Sequence, residues 1–403
     1  MTLHVLYLAH DLADPAVRRR VLMLSAGGAR VTLAGFRRGD NALAAVEGLR
    51  PIELGVTADG RFAQRLGAVG KACLNIRRRL RGVTRPDVII ARNLEMLAVA
   101  DRAVAAFGGE TPVVYESLDI HRLLLRSDFA GRMLRGAEAR LGRKAKLLIT
   151  SSPAFVENYF RPLSGLDLPV LLLQNQVLAL GNEADAPPPL HQRRKGDPWR
   201  IGWFGALRCS RSLAMLSTLS RAMAGRVEIV LRGRPARSEL KDFDAVIAAE
   251  PHMTFEGPYR NPEDLPAIYA DVDFVWTIDF FEEGQNSRWL LPNRLYEGCR
   301  HGAVPIAMAG TETARFLEDR KIGFVLPDAD STRLEKLFGG MDEESYLDAF
   351  DAVAGQHPSL WTIKQSDCEA FVRRLATLST ETDEAPAAAA VPSRTYRDQG
   401  GLT

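Results

Sequence analysis

The sequence is poor in cysteine and lacks the cysteine pairs that form metal sites or disulfide frameworks. Its four cysteines are widely separated in 403 residues, and no Cys-x-x-Cys pair occurs. This usage predicts a reduced, cytosolic compartment. No stretch reaches the roughly 18 uncharged apolar residues of a membrane-spanning helix. The first apolar run, LHVLYLAHDL, is interrupted by His4 and His10, so we expect a buried strand there and not a signal peptide.

Common nucleotide-binding and catalytic signatures are also missing. There is no Gly-x-x-x-x-Gly-Lys-Ser/Thr loop, and no Gly-x-Gly-x-x-Gly follows the first strand. These absences count against an ATPase and against an NAD-binding function. Neither a Gly-x-Ser-x-Gly elbow nor a His-Glu-x-x-His helix is present.

The net charge of +2 hides a strong asymmetry between the two halves of the chain. Residues 1–178 contain 26 Lys and Arg against 16 Asp and Glu, a net charge of +10, which leaves −8 for the remainder. Such asymmetry suggests that the first half faces an anionic partner, either an anionic membrane or nucleic acid. Nucleic acid is the weaker alternative, because the basic residues lie within βα units and not on a recognition helix or basic arm. A solvated basic face is the third interpretation.

Short apolar runs alternate with helical patterns along almost the whole chain, which predicts an α/β fold with parallel sheets covered by helices. Apolar residues make up 46% of the chain and charged residues 25%, as in a soluble protein with substantial cores. The alternation stops at a polar segment with three consecutive prolines and then restarts. The predicted organisation is a first Rossmann-like domain, a linker, a second Rossmann-like domain, a helix returning to the first domain and a disordered tail: 1–178, 179–198, 199–360, 361–379 and 380–403.

The second domain opens with a candidate anion site in IGWFGALRCSRSLAML. A strand is predicted to end at Gly205, and a helix begins near Ser210 or Ser212. Free amides at a helix N-terminus, together with Arg208 and Arg211, suit a diphosphate. A second candidate is Arg232 and Gly233 in VLRGRP, at the end of another strand of the same sheet.

Taken in order, these segments resemble the GT-B glycosyltransferases, and among them the GT4-like enzymes of bacterial exopolysaccharide synthesis. RPDVIIARN, LLITSS and LLLQNQV are similar to first-domain segments of that family, and FGALRCSRSL is similar to its glycine and arginine/lysine loop. The most specific match is FEGPYRNPEDLPAIYADVDFVW followed by LPNRLYEGCRHGAVPI. The resemblance covers nearly all of the predicted folded chain and implies two Rossmann-like, doubly wound domains that face each other across a cleft.

The resemblance also implies the chemistry. Glu297 matches the glutamate that binds the ribose hydroxyls of a nucleotide sugar, and a carboxylate can accept from two adjacent hydroxyls. The donor would be a nucleotide-diphosphate sugar and the acceptor a lipid-linked oligosaccharide or polysaccharide, at the inner face of the cell membrane, without cofactor or metal. The implied donor-site residues are Gly205, Arg208, Arg211, Arg232, Gly233, Tyr259, Asn286, Asn293, Arg294, Leu295 and Glu297.

Two departures from the family pattern leave the stereochemical outcome open. The common retaining members have a second glutamate eight positions before the ribose-binding one, and this sequence has Trp289 there. Ala206 stands where the family has an arginine, and Arg211 stands where it has a lysine. An inverting enzyme needs a base to deprotonate the acceptor hydroxyl, and the candidates are Asp14, Glu116 and Asp119. A retaining enzyme would use these residues to orient sugars.

Two other functions remain as alternatives. A nucleotide-sugar epimerase of the same fold would keep the diphosphate site, and a catalytically inactive sugar-nucleotide-binding relic would explain the tryptophan at position 289. The helix predicted at 61–81 carries an apolar stripe beside many arginines. It is expected to pack on the sheet, with Arg77, Arg78, Arg79 and Arg81 free to meet anionic lipid.

Overall fold

The computed structural model describes residues 2–39, 45–58, 62–181, 185–190, 193–194 and 196–380. The predicted disordered tail lies outside these residues from 381 onward, as does part of the predicted linker. Within the described ranges, no helix combines the length and the apolar character needed to cross a lipid bilayer.

The first half of the chain forms a seven-stranded parallel sheet that is buried on both faces. Its strands are β1 His4–Ala9, β2 Arg30–Arg38, β3 Ile52–Thr57, β4 Val88–Arg92, β5 Val113–Glu116, β6 Ala145–Thr150 and β7 Val170–Leu172. Their spatial order is β3-β2-β1-β4-β5-β6-β7. Alternate side chains of β1 enter opposite cores, Val5 and Tyr7 on one face and Leu6 and Leu8 on the other. Two buried faces explain why these strands are apolar at successive positions.

The second sheet repeats this topology. After a short strand, β8 Val177–Leu178, come β9 Trp199–Leu207, β10 Val227–Pro235, β11 Met253–Phe255, β12 Phe274–Trp276, β13 Val304–Met308 and β14 Phe324–Leu326. They are parallel and lie in the order β11-β10-β9-β12-β13-β14. The strand order reverses beside β9, and this is where open α/β sheets bind ligands.

Helices connect the strands and cover both faces of each sheet. Several begin at a capping side chain: Asp14 accepts from the Ala16 amide, and Asp128 accepts from the Gly131 amide. The helices are α1 Pro15–Ala26, α2 Phe62–Arg79, α3 Leu94–Ala106, α4 Phe129–Gly142, α5 Pro153–Phe155 (continued by a π-helix, Val156–Ser164), α6 Ser210–Met223, α7 Phe243–Ala249, α8 Leu265–Tyr269, α9 Asn286–Trp289, α10 Asn293–Arg300, α11 Glu312–Arg320, α12 Ser331–Gly339, α13 Glu343–Ala354 and α14 Gln365–Thr380. Residues Arg122–Leu125 and Pro358–Leu360 form 3₁₀ turns.

The end of the described chain returns to the first sheet. A strand β15, Thr362–Ile363, pairs with β8. Helix α14 then packs against α1 and β4, and its Phe371 and Leu375 enter the core that contains Val5.

The two sheets face each other through their loops. The Asn175 side chain donates to the Leu291 carbonyl at 2.9 Å, and the Ile120 amide donates to Asn286 Oδ1 at 3.2 Å. These bonds bring the carboxyl ends of β5 and β7 to the segment around α9 and α10. The predicted fold class, α/β with two doubly wound parallel sheets, is therefore confirmed.

At the end of β9 and β10 the two backbones approach so closely that only glycine fits. Gly205 and Gly233 are register partners with φ of +102° and +130°. A Cβ on Gly233 would lie 1.9 Å from the Gly205 carbonyl oxygen. The loop that leads into α6, where the anion site was predicted, begins just after this close contact of the two backbones.

We expect Gly233→Ala to lower the melting temperature, because it adds both left-handed strain and a steric clash, each on the order of 1–3 kcal/mol. For a domain of this size each kcal/mol corresponds to about 2–4 °C. The matched control is Gly136→Ala, since Gly136 lies within α4 and a Cβ there meets nothing within 4 Å. It should be neutral or slightly stabilising. Equal melting temperatures for the two variants in calorimetry would contradict the steric argument.

Candidate functional site

Arg208 and Arg211, the predicted phosphate-binding residues, both point to the loop that follows β12. Arg208 Nη2 lies 3.2 Å from Asp279 Oδ2, and its guanidinium stacks 4.8 Å from the centre of the Phe281 ring. Arg211 Nη1 lies 2.9 Å from Glu283 Oε2. In the structure both cations are thus neutralised by carboxylates of one acidic loop, residues 279–283.

The N-terminus of α6 is bound to the same loop through a cysteine. Cys209 Sγ accepts from the Ser212 amide at 3.3 Å and from the Phe280 amide at 3.3 Å. Ser212 Oγ donates to the Ile278 carbonyl. The acidic loop therefore lies against the start of a 14-residue helix, whose N-terminal dipole favours anions.

Glu297 lies in the cleft at the edge of the second sheet, 6% exposed. Its Oε1 accepts from Asn261 Nδ2 at 2.7 Å, and its Oε2 accepts from the Tyr269 hydroxyl at 3.3 Å. Burial raises the pKa of Glu297, against the opposing hydrogen bonds from Asn261 and Tyr269. The position is set by α10, which packs so tightly on β12 that a Cβ on Gly298 would lie 2.6 Å from Val275 Cγ1.

Arg19 of α1 is a residue that the sequence analysis missed. Its Nη2 donates to the Gln174 carbonyl at 2.9 Å, and its Nε is buried without a hydrogen-bond partner in the described part of the chain. Burial lowers the pKa of Arg19 to about 10, while the charge of Glu297 acts in the opposite direction. Arg19 of the first domain therefore interacts through its charge with Glu297 of the second domain. The only sequence signal was the Arg18-Arg19-Arg20 run, which did not reveal which arginine would face the cleft.

Asn261 connects Glu297 to the first domain. Its side-chain amide donates to Glu297, and its backbone carbonyl accepts from Arg18 Nη1 at 2.7 Å. Arg18 also lies 3.2 Å from Glu263. Contacts across the cleft and the hydrogen bonding of Glu297 therefore share one residue.

Gly205, Gly233 and Tyr259 lie together at the ends of β9 and β10. The Tyr259 hydroxyl is 3.8 Å from the place of a Cβ on Gly205, and burial followed by the charge of Glu297 raises its pKa. Arg232 has different neighbours: it pairs with Glu256 and lines a cavity of about 500 Å³ beside α8. The structure does not bring Arg232 to Arg208 and Arg211, because its side chain leaves the strand towards α8.

Most of the remaining predicted donor-site residues are buried or form hydrogen bonds within the protein. Asn286 is bonded to the first domain, Arg294 donates to the Thr277 and Ile278 carbonyls, and Leu295 is fully buried. Asn293 is exposed at the first turn of α10. Trp289, which stands in place of the absent glutamate, packs against the core of the first sheet.

On the acceptor side, Glu116 belongs to the core. It is fully buried, its Oε1 accepts from Arg20 Nε at 2.6 Å, and its Oε2 accepts from the Tyr7 hydroxyl at 2.6 Å. Burial alone would raise the pKa of Glu116, but the guanidinium groups of Arg20 and Arg92 hold it below its ordinary value. Both oxygens are engaged, so the structure argues against Glu116 as the base that deprotonates an acceptor.

Asp14 and Asp119 lie at the carboxyl edge of the first sheet. Asp14 Oδ1 caps α1, and its Oδ2 accepts from Arg92 Nη2 at 2.9 Å. Asp119 is exposed beyond the end of β5. Arg92, at the end of β4, was not predicted as a site residue.

In the part of the chain that the structure describes, no group of three or more His, Cys, Asp or Glu side chains could hold a metal ion, and a metal-free reaction stays a prediction.

Comparison with known proteins gives one close relative and many structural neighbours. No family model matches the sequence. The chain is 61% identical over 408 aligned positions to the succinoglycan biosynthesis protein ExoL of Rhizobium meliloti strain 1021, covering 99% of this chain and all of that protein.

Two solved neighbours show the fold. Sucrose-phosphate synthase from Thermosynechococcus elongatus superposes with a TM-score of 0.68 at 12% identity, over 93% of this chain and 98% of the other. Anabaena HepE in complex with UDP-glucose superposes with a TM-score of 0.64 at 16% identity, over 94% of this chain and all of the other. The predicted GT-B arrangement is confirmed.

We expect Glu297→Ala to weaken sugar-nucleotide binding by about 1–3 kcal/mol, the range for a lost hydrogen bond to a charged group, while the fold is kept. Isothermal calorimetry with UDP-glucose measures the change, and circular dichroism checks the fold. Glu318→Ala, on the exposed side of α11, is the charge-matched control and should bind as the unaltered protein does. Equal affinities for the two variants would remove Glu297 from the site.

Proposed function

The chain belongs to the family of the succinoglycan biosynthesis protein ExoL, and from this premise we propose that it is a glycosyltransferase. It moves a sugar from a nucleotide-diphosphate sugar to a lipid-linked or polysaccharide acceptor during the synthesis of a cell-surface polysaccharide. The relative's part in succinoglycan biosynthesis and the GT-B fold both support this assignment.

The position of Glu297 is the observation that carries the proposal. A carboxylate buried in a cleft is costly unless it is paired or hydrogen-bonded. Among the described residues the donors to its oxygens are neutral, Asn261 and Tyr269, whereas Arg19 and Arg294 act on it through their charge. A ribose offers two adjacent hydroxyls that can replace or extend these bonds. The two arginines and the N-terminus of α6 lie in the same domain, directly after β9, where they would hold the diphosphate.

The donor we propose is a uridine-diphosphate sugar. Support comes from HepE, which has the same fold and was solved with UDP-glucose. Cleavage of the bond between the sugar and the diphosphate leaves negative charge on the leaving group, and Arg208 and Arg211 would stabilise it. Because both arginines are paired with Asp279 and Glu283 in the structure, donor binding exchanges these carboxylates for phosphate oxygens.

Two alternatives predict different products. An epimerase would release a free epimerised sugar nucleotide without an acceptor, and the biosynthetic relative does not favour it. An inactive relic would bind the donor and transfer nothing. Trp289 is the reason for considering an inactive relic, but its packing against the first-domain core already accounts for a tryptophan at that position.

We propose that the acceptor is reached from the cytoplasmic face of the membrane, with the first domain against the lipid. Helices α2 and α4 flank α3 on one side of that domain and expose large apolar side chains: Leu74 is 87% exposed, Phe129 69% and Met133 59%. The same helices and the residue Arg81 just after α2 also expose arginines: Arg77, Arg78, Arg79, Arg81, Arg132 and Arg140. We call these residues the basic–apolar surface. Apolar side chains among cations suit an anionic bilayer surface.

Transfer from UDP-[¹⁴C]glucose to washed membranes of the producing bacterium tests the proposed activity. The unaltered protein should label a lipid-extractable saccharide and release UDP. Replacing Arg208 and Arg211 together by alanine should lower the turnover number more than the donor affinity, because the leaving-group charge is largest in the transition state.

The control removes the same charge elsewhere: Arg373 and Arg374 on α14 are replaced by alanine, and turnover should be unchanged. Donor binding without labelled product would support the relic, and an epimerised sugar nucleotide would support the epimerase. Turnover that survives loss of Arg208 and Arg211 would place the diphosphate elsewhere.

Membrane binding is tested by co-sedimentation with vesicles. The protein should pellet with phosphatidylglycerol-rich vesicles at low salt and be released at about 0.5 M salt, where the screening length is only a few Å. Replacing Arg77, Arg78, Arg79 and Arg81 by glutamine should weaken binding at least tenfold, since each basic residue near the surface contributes about 1 kcal/mol.

A variant with the same charge change in the second domain serves as the control, and it should still pellet. Its replaced residues are Arg237, Lys241, Arg333 and Lys336, all outside the basic–apolar surface. Protein that stays in solution with anionic vesicles at low salt would contradict membrane docking and favour a soluble acceptor.

A further inference from the structure

His10 directly follows β1 at the carboxyl edge of the first sheet, where the cleft lies. Charged groups from four neighbouring elements face its ring: Arg92 at the end of β4, Asp14 before α1, Glu95 in α3 and Asp119 after β5. The side chain is 18% exposed. The ring is therefore largely buried among charges, at the point where an acceptor would enter.

The two ring nitrogens of His10 have different surroundings. Nε2 lies 3.9 Å from Asp14 Oδ2, whereas Nδ1 is buried and has no hydrogen-bond partner among the residues that the structure describes. An unsatisfied buried polar atom costs about 1–3 kcal/mol. His4, at the other end of the same strand, shows the usual arrangement, with Nε2 2.9 Å from Thr32 Oγ1. A ligand hydroxyl would supply the missing partner of Nδ1.

The charge state of His10 suits a proton acceptor. Burial, and next the charge of Arg92, lowers the pKa of His10 below the ordinary 6.5, and Asp14, Glu95 and Asp119 oppose this only in part. The ring is therefore neutral at pH 7 and holds a free lone pair. Among the carboxylates considered for this role, both oxygens of Glu116 are engaged, and so are both oxygens of Asp14.

We propose that His10 is the general base that deprotonates the acceptor hydroxyl, and that Asp14 positions the ring and stabilises its protonated form. This inference rests on the proposed glycosyl transfer. The acceptor proton passes to the free ring nitrogen as the acceptor oxygen forms a bond to the anomeric carbon. The bond from that carbon to the diphosphate oxygen breaks, its electron pair leaves with the nucleoside diphosphate, and the imidazolium then loses its proton to solvent. Attack opposite the leaving group inverts the anomeric configuration.

The test is the pH dependence of transfer from UDP-[¹⁴C]glucose to washed membranes. For the unaltered protein kcat/KM should fall as the pH drops through the lowered pKa of His10, below 6.5, because the ring becomes protonated. His10→Gln should lower transfer about 10²–10⁴-fold and abolish this acid limb, with the dissociation constant for UDP-glucose unchanged. In His10→Ala, added imidazole should restore part of the rate. The product glycosidic bond should have the inverted configuration by NMR.

His252→Gln is the matched control, because His252 lies beside Gly225 at the amino-terminal edge of the second sheet, opposite the cleft; its activity and pH profile should match the unaltered protein. Transfer by His10→Gln within threefold of the unaltered rate, a retained anomeric configuration, or loss of the acid limb in Asp119→Asn but not in His10→Gln would overturn the inference. Each of these leaves the proposed glycosyl transfer intact. Absence of transfer and of donor binding in the unaltered protein would overturn both.

Discussion

The buried carboxylate of Glu116 is the interaction on which the geometry of the cleft depends. It receives Arg20 from α1 and Tyr7 from β1, and Arg92 from β4 lies 3.6 Å away. Breaking such a buried network by removing one partner costs about 3–5 kcal/mol. The network fixes the rotation of α1 on the sheet, and Arg92 extends it to Asp14, so the start of α1 and the end of β1 are held at one place.

With α1 held in this orientation, its three consecutive arginines interact with three different parts of the molecule. Arg20 enters the core, Arg19 interacts through its charge with Glu297, and Arg18 contacts Asn261 and Glu263 of the second domain. Successive residues on a helix point about 100° apart, so one helix can serve the core, the cleft and the opposite domain. The same helix thus links the first domain to the proposed donor site of the second.

In the proposed donor site the charged side chains are likewise paired with groups of the protein. Arg208 and Arg211 are covered by Asp279 and Glu283, which keeps two cations paired near the start of a helix that favours anions. Asn261 and Tyr269 provide the corresponding cover for Glu297. Under the proposed function the donor replaces both sets of contacts, and this exchange discriminates in favour of a ligand that carries both a diphosphate and a diol.

The sequence by itself determined the local elements and the residues tied to a local pattern. Strand–helix alternation predicted two doubly wound sheets, because apolar periodicity and helix and turn signals act over a few residues. The resemblance of LPNRLYEGCRHGAVPI to the glycosyltransferase family is what singled out Glu297. Only the tertiary structure decided the partners. Glu116 and Arg20 are 96 positions apart, and no local signal shows that their pairing removes Glu116 from the acceptor side. The same holds for Arg232, which points towards α8, for Trp289, which packs on the other domain, and for His10, whose Nδ1 has no partner among the described residues. Burial and long-range contacts set the chemistry of a side chain, and both depend on how distant segments of the chain pack.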